Sequence, residues 1–241
     1  MANFAKLSKL KVALFKKGTE KEANPNRVES SNNMMTVLLK ELADQLSSTR
    51  FFILFSLIAL TGIVSFYSAA TNIRAATEDA VSQFILIRLF TTSGSSLPSF
   101  TWFLSILGPL VGLSMGFDAI NAEQNSGTMT RLLAQPIYRD DVINGKFLAR
   151  LFVLILITLA LGFFVAGMGI IITGVPPTGE EVMRLLLYLA LSIVYMGFWL
   201  ALAMLFSLMF RHTATSALCS MSLWLFFSIF VPILAGMVAD A

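Results

Sequence analysis

Long apolar runs separated by short polar clusters set the pattern of this chain, and five of the runs are long enough to matter: roughly 51–70, 99–117, 147–174, 185–210 and 214–238. A bilayer core about 30 Å thick needs about 20 mainly apolar residues per crossing helix. A transmembrane barrel would instead alternate apolar and polar residues over segments of about ten. Stretches such as "FLARLFVLILITLALGFFVAGMGIIITG" are unbroken, and only a helix satisfies its own backbone in lipid. The pattern predicts an all-α polytopic membrane helix bundle with five spans.

Between the tail and the first span, "MMTVLLKELADQLSSTR" places Met35, Leu38, Leu39, Leu42 and Leu46 at helical spacing, with Lys40, Glu41, Asp44 and Gln45 on the other face. This reads as an amphipathic helix lying at the membrane interface; a plain continuation of the first span is the competing reading. Residues 1–33 have no steady period and read as a mobile basic tail, leaving 34–241 as the membrane domain. The apolar patch "QFILIRLF" is too short to cross alone and predicts a short helix on the outer surface.

Composition sharpens the class. The chain is 56% hydrophobic and 13% charged, with mean hydropathy +0.79, whereas soluble domains carry about a quarter charged residues. Before residue 50 no sustained apolar stretch with a cleavage-like site occurs, so no cleaved signal is expected. The single cysteine, Cys219, and single histidine, His212, read as a packing residue and an interfacial residue; no metal site and no catalytic residue are expected.

Charge sets the orientation. Fourteen of the 17 Lys and Arg fall in the tail, the 118–150 loop and the turn at Arg211, and only Arg74, Arg88 and Arg184 fall on the opposite side. The positive-inside rule then makes the N-terminus and this loop cytoplasmic. The net charge of +3 is accounted for by this topology and by anionic lipid, with no nucleic acid required.

Three features carry candidate function. Gly108, Gly112 and Gly116, four residues apart in the second span, form a small-residue stripe that lets another helix, in the same chain or in a dimer, approach closely, and Pro109 among them should bend or loosen the helix. The hydroxyls of Ser105, Ser114, Thr158, Ser192 and Ser207 could line a path for cargo, although packing between helices is the plainer reading of each. The loop between spans two and three reads as a helix end, a turn at "NSGT", a short amphipathic helix "TMTRLLAQP" ended by Pro136, and a new helix opened by "RDD". Such a short helix, held parallel to the membrane, is suited to being gripped by another protein.

The loop residues Asp118, Glu123, Gly127, Thr128, Leu132, Leu133, Pro136, Arg139, Gly145 and Lys146 resemble the "E…GT…LL…P…R…GK" signature of permease subunits of ABC-2 type transporters, of the nitrous-oxide-reductase accessory type. "LLKELADQLSSTRFF" is similar to the interfacial elbow helix and first-span entry of that family. The resemblance implies a prokaryotic inner-membrane permease, working as a homodimer or heterodimer and mostly exporting. Its loop would form a coupling helix docked on a cytosolic ATP-binding cassette subunit through Glu123, Gly127, Thr128, Arg131, Leu132 and Pro136. ATP and Mg2+ would sit on that partner, and this chain carries no phosphate loop of the G-x-x-x-x-G-K-[ST] kind. The family usually has six spans, so a final span is expected to be missing. A membrane anchor without transport, or an intramembrane enzyme, are the other classes; the first has no use for a docking loop, and the second lacks ionisable residues deep in a span.

Overall fold

A computed structural model describes residues 30–76, 87, 90, 91, 93, 98–127, 139–174 and 176–239. Five of its helices are long and apolar enough to cross a membrane: Thr49–Tyr67, Phe100–Ser126, Asp140–Ile171, Gly179–Met209 and Thr213–Ala239. The described residues form α1 (Ser30–Leu46), α2 (Thr49–Ala76), α3 (Phe100–Gly116), the short α4 (Asn121–Ser126), α5 (Arg139–Thr173), α6 (Gly179–Met209), α7 (Thr213–Leu225) and α8 (Val231–Ala239). No strand occurs among them. The tail at 1–29 and most of the patch at 83–90 lie outside the described residues.

Each helix end has a local cause. Ser99 caps α3 by accepting from the Trp102 N–H at 3.3 Å. Gly174, at φ +67, closes α5, its N–H reaching Ile170 O at 2.9 Å, a left-handed conformation that costs glycine little. Thr178 and Glu181 then form a reciprocal capping box at the start of α6, two orphan donors satisfied at once. α6 therefore begins at Gly179, six residues before the sequence expectation, because a charged first turn outside the lipid remains helical.

The fifth span is not one regular helix. Phe226–Phe230 forms a π-helical turn between α7 and α8, with the Val231 N–H reaching back to Phe226 O. Pro232 follows at once. Proline has no N–H and its ring crowds the carbonyl four residues back, so the ladder widens by one residue at this point. From residue 229 to 239 every residue is exposed, and α8 packs mainly on the turn before it.

α3 lies along α6, α5 packs against α1, α2 and α6, and α7 leans on α6 and α3. Phe100, Leu104, Leu154, Ile157, Met196 and Leu200 belong to the shared core. In lipid the tails are as apolar as these side chains, so helix association rests on close packing and on hydrogen bonds between helices. The glycine stripe supplies the first. A Cβ on Gly112 would stand 2.6 Å from Met196 O, and one on Gly116 2.6 Å from Ala203 Cβ. The helix that fills the stripe is thus the fourth span of the same chain. At the end of the bundle away from the loop, Phe90 is fully buried; its ring centroid lies 5.6 Å from Phe100 and 5.4 Å from Tyr188.

The interfacial helix turns inward a face shared by apolar and acidic residues, with Leu42 and Leu46 packed against the core as their spacing suggests. Met35 and Leu39 are exposed, while Val37 and Glu41 are buried. Glu41, expected on the solvated face, points into the protein. The reason lies in the residues it meets on α5.

Candidate functional site

The loop between spans two and three leaves the membrane through a backbone turn at residues 117–120 and enters α4, which ends at Gly127 in the left-handed conformation, φ +71. Both N–H groups at its start, Ile120 and Asn121, donate to Ser207 Oγ at 3.0 and 3.2 Å. This one hydroxyl, fully buried near the end of α6, satisfies two donors that a helix start otherwise leaves orphaned. Farther along, Asn125 Nδ2 donates to Arg211 O at 3.0 Å. The foot of the loop is therefore hung on the fourth span and on the turn that follows it.

Its other side is held by charge. Lys146 Nζ lies 2.6 Å from Glu41 Oε1 and 2.6 Å from Glu123 Oε1. The lysine side chain is 2% exposed, and those of Glu41 and Glu123 are 9% and 22% exposed. Arg150, one turn along α5, has its Nη1 3.8 Å from Glu41 Oε2 and donates to Lys146 O at 3.4 Å. Three elements distant in sequence meet here: the interfacial helix, the loop foot and the third span. Removing these charges from water is costly, and their mutual attraction offsets that only because acids and bases are matched two to two. Nearby, exposed Arg50 pairs with Asp118 and sits 5.8 Å above the Phe117 ring, tying the start of the first span to the end of the second.

Of the residues expected to dock a partner, Glu123 lies in the ion cluster and Gly127 caps α4; Thr128, Arg131, Leu132 and Pro136 lie outside the described residues. Gly108, Gly112 and Gly116 lie away from the cluster, against α6. The sequence reading passed over Glu41, Arg150 and Asn121 as partners of the loop, and treated Ser207 only as one hydroxyl among several. A signal was present: Lys146 and Arg150 are spaced i, i+4, so they share a helix face just inside the membrane-spanning run, and a pair of cations there requires acids from elsewhere.

The hydroxyls considered for cargo are all engaged with backbone. Ser105, Ser114, Thr158 and Ser192 donate to carbonyls three or four residues back in their own helices, and Ser207 holds the loop. Pro109 removes the N–H that would bond Ser105 O, and Tyr195 Oη donates to that carbonyl at 2.9 Å. This bond lies at a cleft of about 380 Å³ between α3, α6 and the π turn, lined by Ile106, Phe198, Trp199 and Phe227 among others. His212 is exposed at the start of α7, and Cys219 is a half-buried free thiol.

With this geometry in view, the comparisons with known proteins are informative. A family model described as ABC-2 family transporter protein matches residues 35–241. The chain is 29% identical over 196 residues to the "Probable ABC transporter permease protein NosY" of Pseudomonas aeruginosa, covering 80% of this chain and 66% of that relative. A protein of the same description from Stutzerimonas stutzeri is 33% identical over 81 residues, 34% of this chain and 29% of that one. The match thus covers just under two thirds of the first relative's length and under a third of the second's.

Proposed function

The chain belongs to the ABC-2 transporter family, and from that premise we propose that it is the membrane permease subunit of an ATP-binding cassette transporter, driven by a separate cytosolic ATPase. The loop between spans two and three is the handle that the ATPase grips. Gly127, Thr128, Arg131, Leu132 and Pro136 make its docking surface, and Glu123 roots that surface in the membrane domain. Two permease copies, each on one ATPase subunit, form the working unit in a prokaryotic inner membrane. The N-terminus is cytoplasmic, and ATP and Mg2+ are bound by the partner. Transport runs outward in this reading.

The observation that carries the proposal is the way the loop foot is rooted. Residues 128–136 follow α4 in the sequence, and α4 is bonded to the fourth span through Ser207, to the following turn through Arg211, and to the third span and interfacial helix through Lys146. A pull on the docking segment is delivered to the ends of several spans together. The energy is the difference in the ATPase affinity for the two membrane conformations; no residue of this chain breaks or makes a bond.

Coexpression with the cognate ATPase tests the reading. The wild-type permease carries the ATPase through purification in detergent, and a variant with Arg131→Glu and Leu132→Asp loses it while eluting as the same monodisperse species. Undiminished ATPase in that variant would place the docking surface elsewhere.

A further inference from the structure

We propose that Glu41 and Arg150 are positioning residues for coupling: Glu41 is held by Lys146 in the conformation described here and passes to Arg150 when the docking segment is driven. This inference rests on the coupling role assigned above and adds the interfacial helix as a second moving part.

The cluster is matched in charge but uneven in its bonds. Lys146 holds two carboxylates at 2.6 Å each. Arg150 has the same burial, with a side chain 6% exposed, yet its closest carboxylate oxygen stands at 3.8 Å, beyond hydrogen-bond reach. Its Nε is buried with no partner. A buried guanidinium carries five donors in a rigid fork suited to a carboxylate, and an unmet buried donor carries a free-energy cost. The arrangement with one acid for each base, Glu123 on Lys146 and Glu41 on Arg150, meets both cations.

The route between the two arrangements is short. Lys146 and Arg150 lie four residues apart on α5, about 6 Å along the helix, and Glu41 already sits between them with one oxygen facing each. Sliding α1 along α5 by a fraction of a turn exchanges the partner without taking a charge through lipid. In the first arrangement Lys146 joins the loop foot to the interfacial helix. In the second they no longer share a residue: Lys146 holds the loop foot, Arg150 holds α1, and the two are joined only through α5. Packed elements with two discrete arrangements of this kind carry switching motions.

The test uses the permease–ATPase complex in lipid nanodiscs, imaged at side-chain resolution without nucleotide and after trapping with ATP, Mg2+ and vanadate. The expected result is a Glu41 carboxylate on Lys146 in the first state and within hydrogen-bond distance of Arg150 in the second. Glu41 remaining on Lys146 after trapping overturns the inference while leaving the docking role standing. Arg150→Gln removes only the second arrangement. It should retain the ATPase through purification with an unchanged KM for ATP, while the kcat of ATP hydrolysis falls roughly tenfold; Arg150→Lys should restore part of the loss. An unaltered kcat in Arg150→Gln, or loss of the bound ATPase, contradicts it. If the wild-type chain binds no ATPase at all, the docking role fails first and this inference falls with it.

Discussion

Lys146→Met destabilises the protein by about 3–5 kcal/mol, the scale at which one member of a buried ion pair leaves its partner uncompensated. Methionine fills much of the same volume, so the loss is electrostatic and not a cavity. The Glu41 carboxylate is left with Arg150 at 3.8 Å as its remaining cation among the described residues, and Glu123 loses the ammonium at 2.6 Å. Reversible unfolding in mixed micelles, followed by helical signal against denaturant, measures the difference. The double variant Lys146→Met with Glu41→Gln recovers only part of the loss, since it removes one buried pair but leaves Glu123 without its ammonium and Arg150 without its nearest carboxylate. A shift below about 1 kcal/mol in the single variant would mean that the pair is solvated, as exposed ion pairs are.

The second large effect concerns the glycine stripe, where the three positions respond unequally. At Gly112 a Cβ meets Met196 O at 2.6 Å and Leu200 N at 3.0 Å, and at Gly116 it meets Leu200 O at 2.8 Å as well as Ala203 Cβ. Backbone atoms cannot rotate away, so spans two and four must separate and lose contact along their length. At Gly108 the closest atom is Met196 Cγ at 3.1 Å, part of a flexible side chain that adapts at little cost. Gly112→Ala and Gly116→Ala therefore lower stability by about 1–3 kcal/mol, the cost of overpacking a tight core, and Gly108→Ala lowers it far less. The same unfolding measurement separates them. Equal losses at all three positions would contradict the close approach of α3 to α6.

The five spans were legible because uncharged runs of this length have one stable solution in lipid. Their limits were less so. Hydropathy finds where lipid begins, whereas α5 starts at Arg139 and α6 at Gly179, outside the apolar runs. The capping box that starts α6 was readable from Thr178 and Glu181, three residues apart, although the prolines beside it suggested only a turn. The π turn at Phe226–Phe230 stands just before Pro232, a proline in the last run that the sequence reading did not single out.

The functional site was half legible. Glu123, Gly127 and Lys146 stood out as a charged island between greasy segments. Their bonding partners did not, because Glu41 lies 105 residues from Lys146 and Ser207 lies 86 from Asn121, and such meetings are decided by how the spans pack. Glu41 shows the difficulty most clearly. Helical periodicity sets it among Lys40, Asp44 and Gln45 on a polar face, and polar faces usually meet water; a lysine buried on the adjoining helix reverses that expectation.

The central claim is that the α4 end of the bundle faces the cytosol as a handle for a nucleotide-driven partner. Gln124 and Asn125 are exposed there. In a Cys219→Ser background, Gln124→Cys tests the claim with a membrane-impermeant thiol reagent. Labelling should be rapid in inside-out vesicles stripped of the ATPase, slow when the purified ATPase is added back, and absent in intact cells. Rapid labelling from the outside of intact cells, or labelling unchanged by the ATPase, would contradict it.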